Sequence, residues 1–307
     1  MDFLRVIRFQ NLLMLAFMQL VFRFGFLEQQ AIPLALSRFQ FALLVLATVF
    51  IAAGGYLINN IFDVATDLDN KPQNVVIGKG ISENAAYNYY VALNVIGVGL
   101  GFYLSNYIGK PGYSAVFIVI AGLLYLYASS LKQSLLIGNI IVAATLSVSV
   151  LIIGVYDLMP VLTTDNQVHL GIIFKVLLDY AIFAFIINFI REVVKDLEDV
   201  NGDYNNGMNT LPIALGVGRT TQIMFFLSWL PIILLLWYIN EYYVANNLFI
   251  SVGYMLFLVI GPLLYFTIKL WSAKGQKDFK HLSTVLKVVL FLGILSIYVV
   301  TQDIANA

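Results

Sequence analysis

The stretch NNIFDVATDLDNKP, residues 59–72, directly follows LLVLATVFIAAGGYLI, residues 43–58, which carries no charge. Three carboxylates, Asp63, Asp67 and Asp69, therefore stand at the end of a long apolar segment. Charges next to hydrocarbon are costly, and in membrane proteins they usually mark a working site. The stretch predicts a membrane span that ends in a functional site.

The composition of the whole chain agrees with a membrane protein. Of the 307 residues, 61% are hydrophobic and 11% are charged, whereas soluble domains carry about 25% charged residues. We therefore expect one integral membrane domain over residues 1–307. The chain has no cysteine, which excludes disulfides and Cys-ligated metal, and its two histidines, His169 and His281, are far apart in sequence.

Apolar segments of about 20 residues predict membrane-spanning helices. They are too long and too uniformly apolar to be barrel strands, which alternate over about ten residues. The fold class is therefore all-α, with nine transmembrane helices. The predicted spans cover residues 8–27, 39–62, 84–107, 113–130, 135–156, 168–190, 219–239, 247–269 and 282–301.

The distribution of lysine and arginine between the loops predicts the orientation. With a cytoplasmic N-terminus, thirteen basic residues fall on the inner side and three, Arg23, Arg38 and Lys110, on the outer side. The inner residues are Arg5, Arg8, Lys71, Lys79, Lys132, Arg191, Lys195, Arg219, Lys269, Lys274, Lys277, Lys280 and Lys287. Both acidic clusters of the chain, residues 63–69 and 191–203, then lie on the inner side. We expect a protein of the cell (inner) membrane whose active site faces the cytoplasm.

Each acidic cluster has helical spacing. Asn59, Asp63 and Asp67, at and just before the first cluster, are spaced i, i+4, i+8. Asp196, Asp199 and Asp203 of the second are spaced i, i+3, i+7, so each set of three shares one helix face. Two such faces opposite each other would form an oxygen-lined pocket suited to Mg²⁺. The residues of these two faces, the candidate metal ligands, are Asn59, Asp63, Asp67, Asp196, Asp199 and Asp203.

Cations on the same side are candidates for binding a diphosphate that arrives with the metal. They are Lys71, Lys79, Lys132, Arg191 and Lys195. Acids in loops can also be simple solvated helix ends. We expect Asp69, Glu192 and Glu198 to be acids of this kind, either solvated or paired.

Five segments together resemble the UbiA-type intramembrane prenyltransferase superfamily. NNIFDVATD resembles its N-x-x-x-D-x-x-x-D signature, and REVVKDLEDVNGDYNNGMNTLPIALG resembles its second Asp-rich motif with a Gly-x-x-Thr-Leu-Pro tail. The resemblance covers residues 5 to about 220 in the expected order, and the last three spans carry no comparable signature. The matching segments are RFQN (8–11), residues 59–67, DNKPQNVVIGKGIS (69–82), YASSLKQSLLIGNIIVA (127–143) and residues 191–216.

The resemblance implies nine helices around a central cavity, a prenyl diphosphate donor and Mg²⁺ as cofactor. It implies a first metal–diphosphate site at Asn59, Asp63 and Asp67, and a second at Asp199 and Asp203. Lys195 and Asp196 would lie beside the second site, Lys132 would contact the diphosphate, and Arg8 and Asn11 would contact substrate. Asp63, Asp67, Asp199 and Asp203 would be the catalytic residues.

Three positions depart from the superfamily's pattern. Asn60 stands where many members have Asp, Asn74 where many have Arg, and Gln133 where a second base is common. The pocket is therefore expected to hold diphosphate with fewer cations, and Lys79 is expected to compensate.

The acceptor is left open by the sequence. The charged Lys-Asp before the final acidic pair resembles the branch that prenylates a geranylgeranylglyceryl phosphate, an ether lipid precursor. An aromatic acceptor of quinone synthesis and a chlorophyll-synthase-like reaction are the alternatives. The region Arg8–Asn11 and the lysines between Lys269 and Lys280 are candidates to contact an acceptor headgroup. The alternative for those lysines is that they only set topology.

A membrane transporter is the alternative outside this enzyme class. Transporter ion sites usually lie near the bilayer midplane, whereas the acids here lie at span ends. The expected partners are therefore the prenyl donor, a lipophilic acceptor and membrane lipid, and no nucleic acid.

Overall fold

The structure, a computed structural model, describes residues 2–70 and 72–307. Lys71, one of the expected diphosphate ligands, lies outside the described residues. The described chain is helical and contains no β-strand. Its nine long helices are α1 (Phe9–Gly25), α2 (Arg38–Phe62), α3 (Glu83–Tyr107), α4 (Ala115–Ser129), α5 (Ile137–Asp157), α6 (Gln167–Asn205), α7 (Val217–Tyr238), α8 (Phe249–Ser272) and α9 (Gln276–Asn306).

Eight of these helices are long and apolar enough to cross a membrane, counted over the described part of the chain. The exception is α3, which has 25 residues but carries asparagines at 84, 88 and 94. The chain is thus an all-α membrane protein. Nine spans and a cytoplasmic N-terminus remain predictions.

The sixth predicted span, residues 168–190, is shorter than the helix that contains it. Helix α6 has 39 residues, about 58 Å at 1.5 Å per residue, and so exceeds the roughly 30 Å of bilayer hydrocarbon. Hydropathy detects only the apolar part of such a helix. The second acidic cluster therefore lies on the helix itself and not in a loop after it.

Two apolar cores hold the helices together. One joins α1, α2, α5 and the first half of α6, and the other joins the second half of α6 to α7, α8 and α9. Small residues allow close helix approach. A Cβ at Gly97 of α3 would lie 2.7 Å from Ile51 Cγ1 of α2, and one at Gly154 of α5 would lie 2.8 Å from Leu177 Cδ1 of α6.

A buried ion pair connects the ends of α1 and α5. Arg23, counted above among the outer-side cations, is only 3% exposed, and its Nε lies 3.0 Å from Oδ2 of the fully buried Asp157. Arg23 Nη2 also donates to Leu36 O at 2.9 Å, and Leu36 N donates to Asp157 Oδ1 at 3.1 Å. The pair thus fixes the connection between α1 and α2.

Replacement of Arg23 is expected to destabilise the fold. Arg23→Met leaves the Asp157 carboxylate buried without its cation, and removing one partner of a buried pair costs about 3–5 kcal/mol. The measurement is thermal unfolding in detergent. Arg38→Met is the control, because Arg38 pairs with Glu28 at 3.0 Å with its side chain 78% exposed, where a pair contributes little. Equal losses in the two variants would contradict the role of the buried pair.

Candidate functional site

The first acidic face is formed by the end of α2 and the short helix Val64–Asn70. Asp63 ends α2, yet the i→i−4 bonding continues through it. Asp63 N donates to Asn59 O at 2.9 Å, and Asp67 N donates to Asp63 O at 2.8 Å. Asn59, Asp63 and Asp67 therefore keep the common face that their spacing predicts.

The second acidic face lies on the last turns of α6. Asp196, Asp199 and Asp203 are all helical, in the predicted i, i+3, i+7 register. Asn139, near the start of α5, donates from Nδ2 to Asp196 Oδ2 at 2.8 Å. The amide fixes Asp196 and connects α5 to this face.

Both acidic faces line one cavity of about 570 Å³. Among the described residues, its polar part contains six carboxyl groups and five basic side chains, and its apolar part is lined by α1, α2, α4 and α5. The ionisable side chains are Asp63, Asp67, Glu192, Asp196, Asp199, Asp203, Arg5, Arg8, Lys132, Arg191 and Lys195. The structure thus joins an anionic region to an apolar chamber.

Lys132 enters the cavity from the connection between α4 and α5. Its Nζ contacts Asp63 Oδ1, and both side chains are mostly buried. The other oxygen of Asp63 accepts from Asn59 Nδ2. A cation predicted to contact diphosphate therefore lies directly against the first acidic face.

The donor atoms fit a divalent cation that is shared with a substrate. Asn59 Oδ1 and Thr210 Oγ1 line this cavity, are buried and have no hydrogen-bond partner among the described residues. Within residues 2–70 and 72–307, no three acidic or histidine side chains converge on one point. Mg²⁺ is typically held by one or two carboxylates and the substrate's phosphates, so this open arrangement suits metal that binds with a diphosphate.

The remaining predicted contacts are distributed around the cavity. Arg8 and Asn11 line it, and the Arg8 guanidinium lies 5.3 Å from the centre of the Tyr56 ring. Lys195 Nζ lies 2.7 Å from Glu192 Oε2, and Arg191 Nη1 lies 3.1 Å from Glu192 Oε1. Glu192 is therefore paired, in agreement with one of its two expected roles.

Some predicted residues lie elsewhere. Lys79 is exposed and does not line the cavity, because the 75–82 loop turns it to the surface. Asp69, in contrast, is exposed as expected for a solvated acid, and it accepts from Asn206 Nδ2 at 3.2 Å. Glu198 is buried at 9% exposure and so is not a solvated acid.

The sequence prediction missed several polar residues of the site, among them Asn60, Arg5 and Asn139. Asn60, at a departure from the superfamily's pattern, lines the cavity and donates to Val6 O at 3.1 Å and Tyr56 O at 2.8 Å. Arg5 also lines the cavity, although it was counted only as a topology signal. Asn139 lies within the recognised segment 127–143, but the motif gave it no role.

The similarity of this chain to known proteins extends beyond the residues of the site. A model of the UbiA prenyltransferase family matches residues 22–295. The digeranylgeranylglyceryl phosphate synthase of Saccharolobus solfataricus is 35% identical over 199 residues, which are 65% of this chain and 64% of the relative. The match therefore spans slightly less than two thirds of that relative's length.

Solved structures share the architecture. One from work on digeranylgeranylglyceryl phosphate synthase in membranes has a TM-score of 0.65 and 23% identity, covering 98% of this chain and 97% of that one. A UbiA homologue from Archaeoglobus fulgidus, bound to GPP and Mg²⁺, has a TM-score of 0.61 and 15% identity, covering 97% and 99%. At these identities the structures show a common fold. Because the family model covers most of the residues and both acidic motifs, the chain belongs to the UbiA prenyltransferase family.

Proposed function

We propose that residues 1–307 form one enzyme domain that transfers a prenyl group from a prenyl diphosphate to a lipophilic acceptor in the membrane. One observation carries the proposal: two acidic helix faces and Lys132 border the same cavity, and the part of its wall formed by α4 and α5 is mostly apolar. Such a cavity matches a ligand with an anionic diphosphate at one end and a hydrocarbon tail at the other. Family membership argues against the transporter alternative.

The roles of the residues follow from this placement. Asn59, Asp63 and Asp67 on one side, and Asp196, Asp199 and Asp203 on the other, would hold Mg²⁺ with the diphosphate. The bound metal would neutralise charge that builds up on the leaving group. Lys132 and Lys195 would contribute further positive charge to the diphosphate oxygens.

The apolar wall protects the reacting carbon. When the allylic C–O bond breaks, its electron pair leaves with the diphosphate, and the prenyl carbocation must meet the acceptor before water. Side chains such as Ile51, Phe117, Ile120 and Leu124 line the chamber and would enclose the tail and exclude water. The acceptor hydroxyl oxygen then forms the new C–O bond, and the released diphosphate takes its proton.

We further propose that the acceptor is geranylgeranylglyceryl phosphate and that the donor carries a geranylgeranyl group. The name of the Saccharolobus relative supports this choice, as does the Lys195–Asp196 pair of the second motif. The proposed location is the cell membrane, with the cavity's polar end at the cytoplasmic face. The excess of basic residues on the predicted inner side supports that orientation.

A competition assay is expected to yield only the ether lipid product. Purified protein receives geranylgeranyl diphosphate, Mg²⁺ and equal amounts of geranylgeranylglyceryl phosphate and dihydroxynaphthoate, and products are separated by mass. The reason is that a phosphate-bearing acceptor needs a cation of its own, and Arg8 of the α1 end and Arg191 of α6 line the cavity. A product prenylated only on the aromatic ring would overturn this acceptor and favour the quinone alternative.

A further inference from the structure

A second cavity of about 110 Å³ adjoins the first among α1, α5, α6 and α9. Most of its wall is apolar, including Met18, Phe22, Phe183 and Leu290. The two cavities share Asn11, Leu15, Tyr56, Leu146, Ser149 and Arg191. A molecule in the second cavity would therefore lie beside a donor in the first.

The charged side chains of this cavity lie at one end. Lys287 is early in α9 and Asn11 early in α1, whereas Arg191 is late in α6, which runs in the opposite direction. The lining residues farther along the helices carry no charge and are mostly apolar, such as Phe22 and Ile294, and the hydroxyl of Tyr180 among them is bonded to Ser296 at 2.7 Å. The cavity therefore has a cationic end and a hydrocarbon end.

Lys287 has an unusual environment for a lysine. It is half-buried, and its Nζ donates to the Asn11 carboxamide Oδ1 at 2.7 Å. No described carboxylate forms an ion pair with it. A partly buried ammonium with only a neutral partner is costly, and such a charge within a membrane helix indicates a binding role.

Arg191 supplies a second cation to the same end. It lines both cavities, and although Nη1 contacts Glu192, its Nε is buried without a hydrogen-bond partner among the described residues. Lys287 Nζ and Arg191 Nε can therefore each donate to a ligand in the cavity. A phosphate monoester carries about −1.5 to −2 charges near neutral pH. A ligand with a phosphate therefore matches two cations better than a ligand with a single carboxylate does.

We propose that Lys287, Asn11 and Arg191 form the subsite for the phosphate of a lipophilic acceptor, with the start of its apolar chain in the second cavity. This inference rests on the proposed function, because it assigns the acceptor of that reaction its own place. The donor's diphosphate belongs to the acidic faces of the first cavity. The acceptor's phosphate and the donor's diphosphate are thereby held by different sets of residues.

The test separates acceptor affinity from donor affinity. In Lys287→Gln, the KM for geranylgeranylglyceryl phosphate is expected to rise about tenfold or more, the scale of losing a hydrogen bond to a charged group. The KM for geranylgeranyl diphosphate should change by less than about twofold, and Lys287→Arg should restore most of the acceptor affinity. Lys280→Gln is the matched control, because Lys280 is an exposed lysine of the same helix and lines neither cavity.

Equilibrium binding without donor distinguishes this subsite from the proposed function. The probes are geranylgeranylglyceryl phosphate, its dephosphorylated alcohol and glycerol phosphate. Wild type should bind the phosphorylated lipid most tightly, and Lys287→Gln should lose that preference over the alcohol. If this holds but no prenylated product forms, the subsite stands and the proposed function fails.

Three results would overturn the subsite itself. Unchanged lipid binding in Lys287→Gln would show that Lys287 does not bind the phosphate. An equal rise in both KM values would assign Lys287 to the donor. Glycerol phosphate bound as tightly as the lipid would show that the apolar cavity takes no part.

Discussion

Replacing any one of Asp63, Asp67, Asp199 and Asp203 by alanine is expected to lower prenyl transfer by at least about 100-fold, the scale of losing one electrostatic stabiliser. All four side chains line the cavity in which the two acidic faces meet. Each loss removes a carboxylate that would hold the metal–diphosphate group. The measurement is kcat for product formation in detergent, with the thermal unfolding of each variant recorded beside it.

Asp69→Ala is the matched control for these substitutions. Asp69 belongs to the same segment as Asp63 and Asp67, yet it is exposed and lines neither cavity. Its loss should cost far less activity. Folded variants at all five positions with equal losses would contradict the assignment by helix face.

Helical spacing predicted the acidic faces correctly because it is a local property of the chain. Backbone bonds at Asp63 and Asp67 keep the 3.6-residue period through the end of α2, so the sequence was enough to align their side chains. The same holds for Asp196, Asp199 and Asp203 on α6. The resemblance to a known superfamily then supplied the expectation that the two faces meet.

Contacts between distant helices were not predictable in this way. The bond from Asn139 to Asp196 and the bond from Lys287 to Asn11 join residues 57 and 276 positions apart. Periodicity describes one helix at a time and gives no relative rotation or depth. Lys287 was therefore counted as an inner-side charge, and its place beside the cavity emerged only from packing.

Helical spacing also could not predict where loop residues lie. Lys79 was expected to compensate for missing cations, but a left-handed turn at Gly78 (φ 83°) lies beside it, and the loop leaves its side chain exposed. Lys132 was assigned to the site by the resemblance and not by periodicity, and the structure places it against Asp63. Motif order thus carried information that hydropathy lacked.

Removal of divalent metal is expected to abolish prenyl transfer. The described lining of the first cavity has six carboxyl groups against five basic side chains, so its cations do not outnumber its acids before a diphosphate arrives. Without a divalent cation, the carboxylates repel the donor, and only basic side chains such as Lys132 and Lys195 remain to offset charge on the leaving group.

Turnover of metal-stripped protein should therefore stop in EDTA and return with Mg²⁺ or Mn²⁺. Binding of geranylgeranyl diphosphate, measured without acceptor, should weaken in EDTA as well, which separates metal-assisted binding from a purely chemical role. The Asp63→Ala protein serves as the control for binding, because its response to added Mg²⁺ should be reduced. Undiminished transfer by the stripped protein would overturn the assignment of the two acidic faces to a metal–diphosphate site, since the cavity's own cations would then be sufficient.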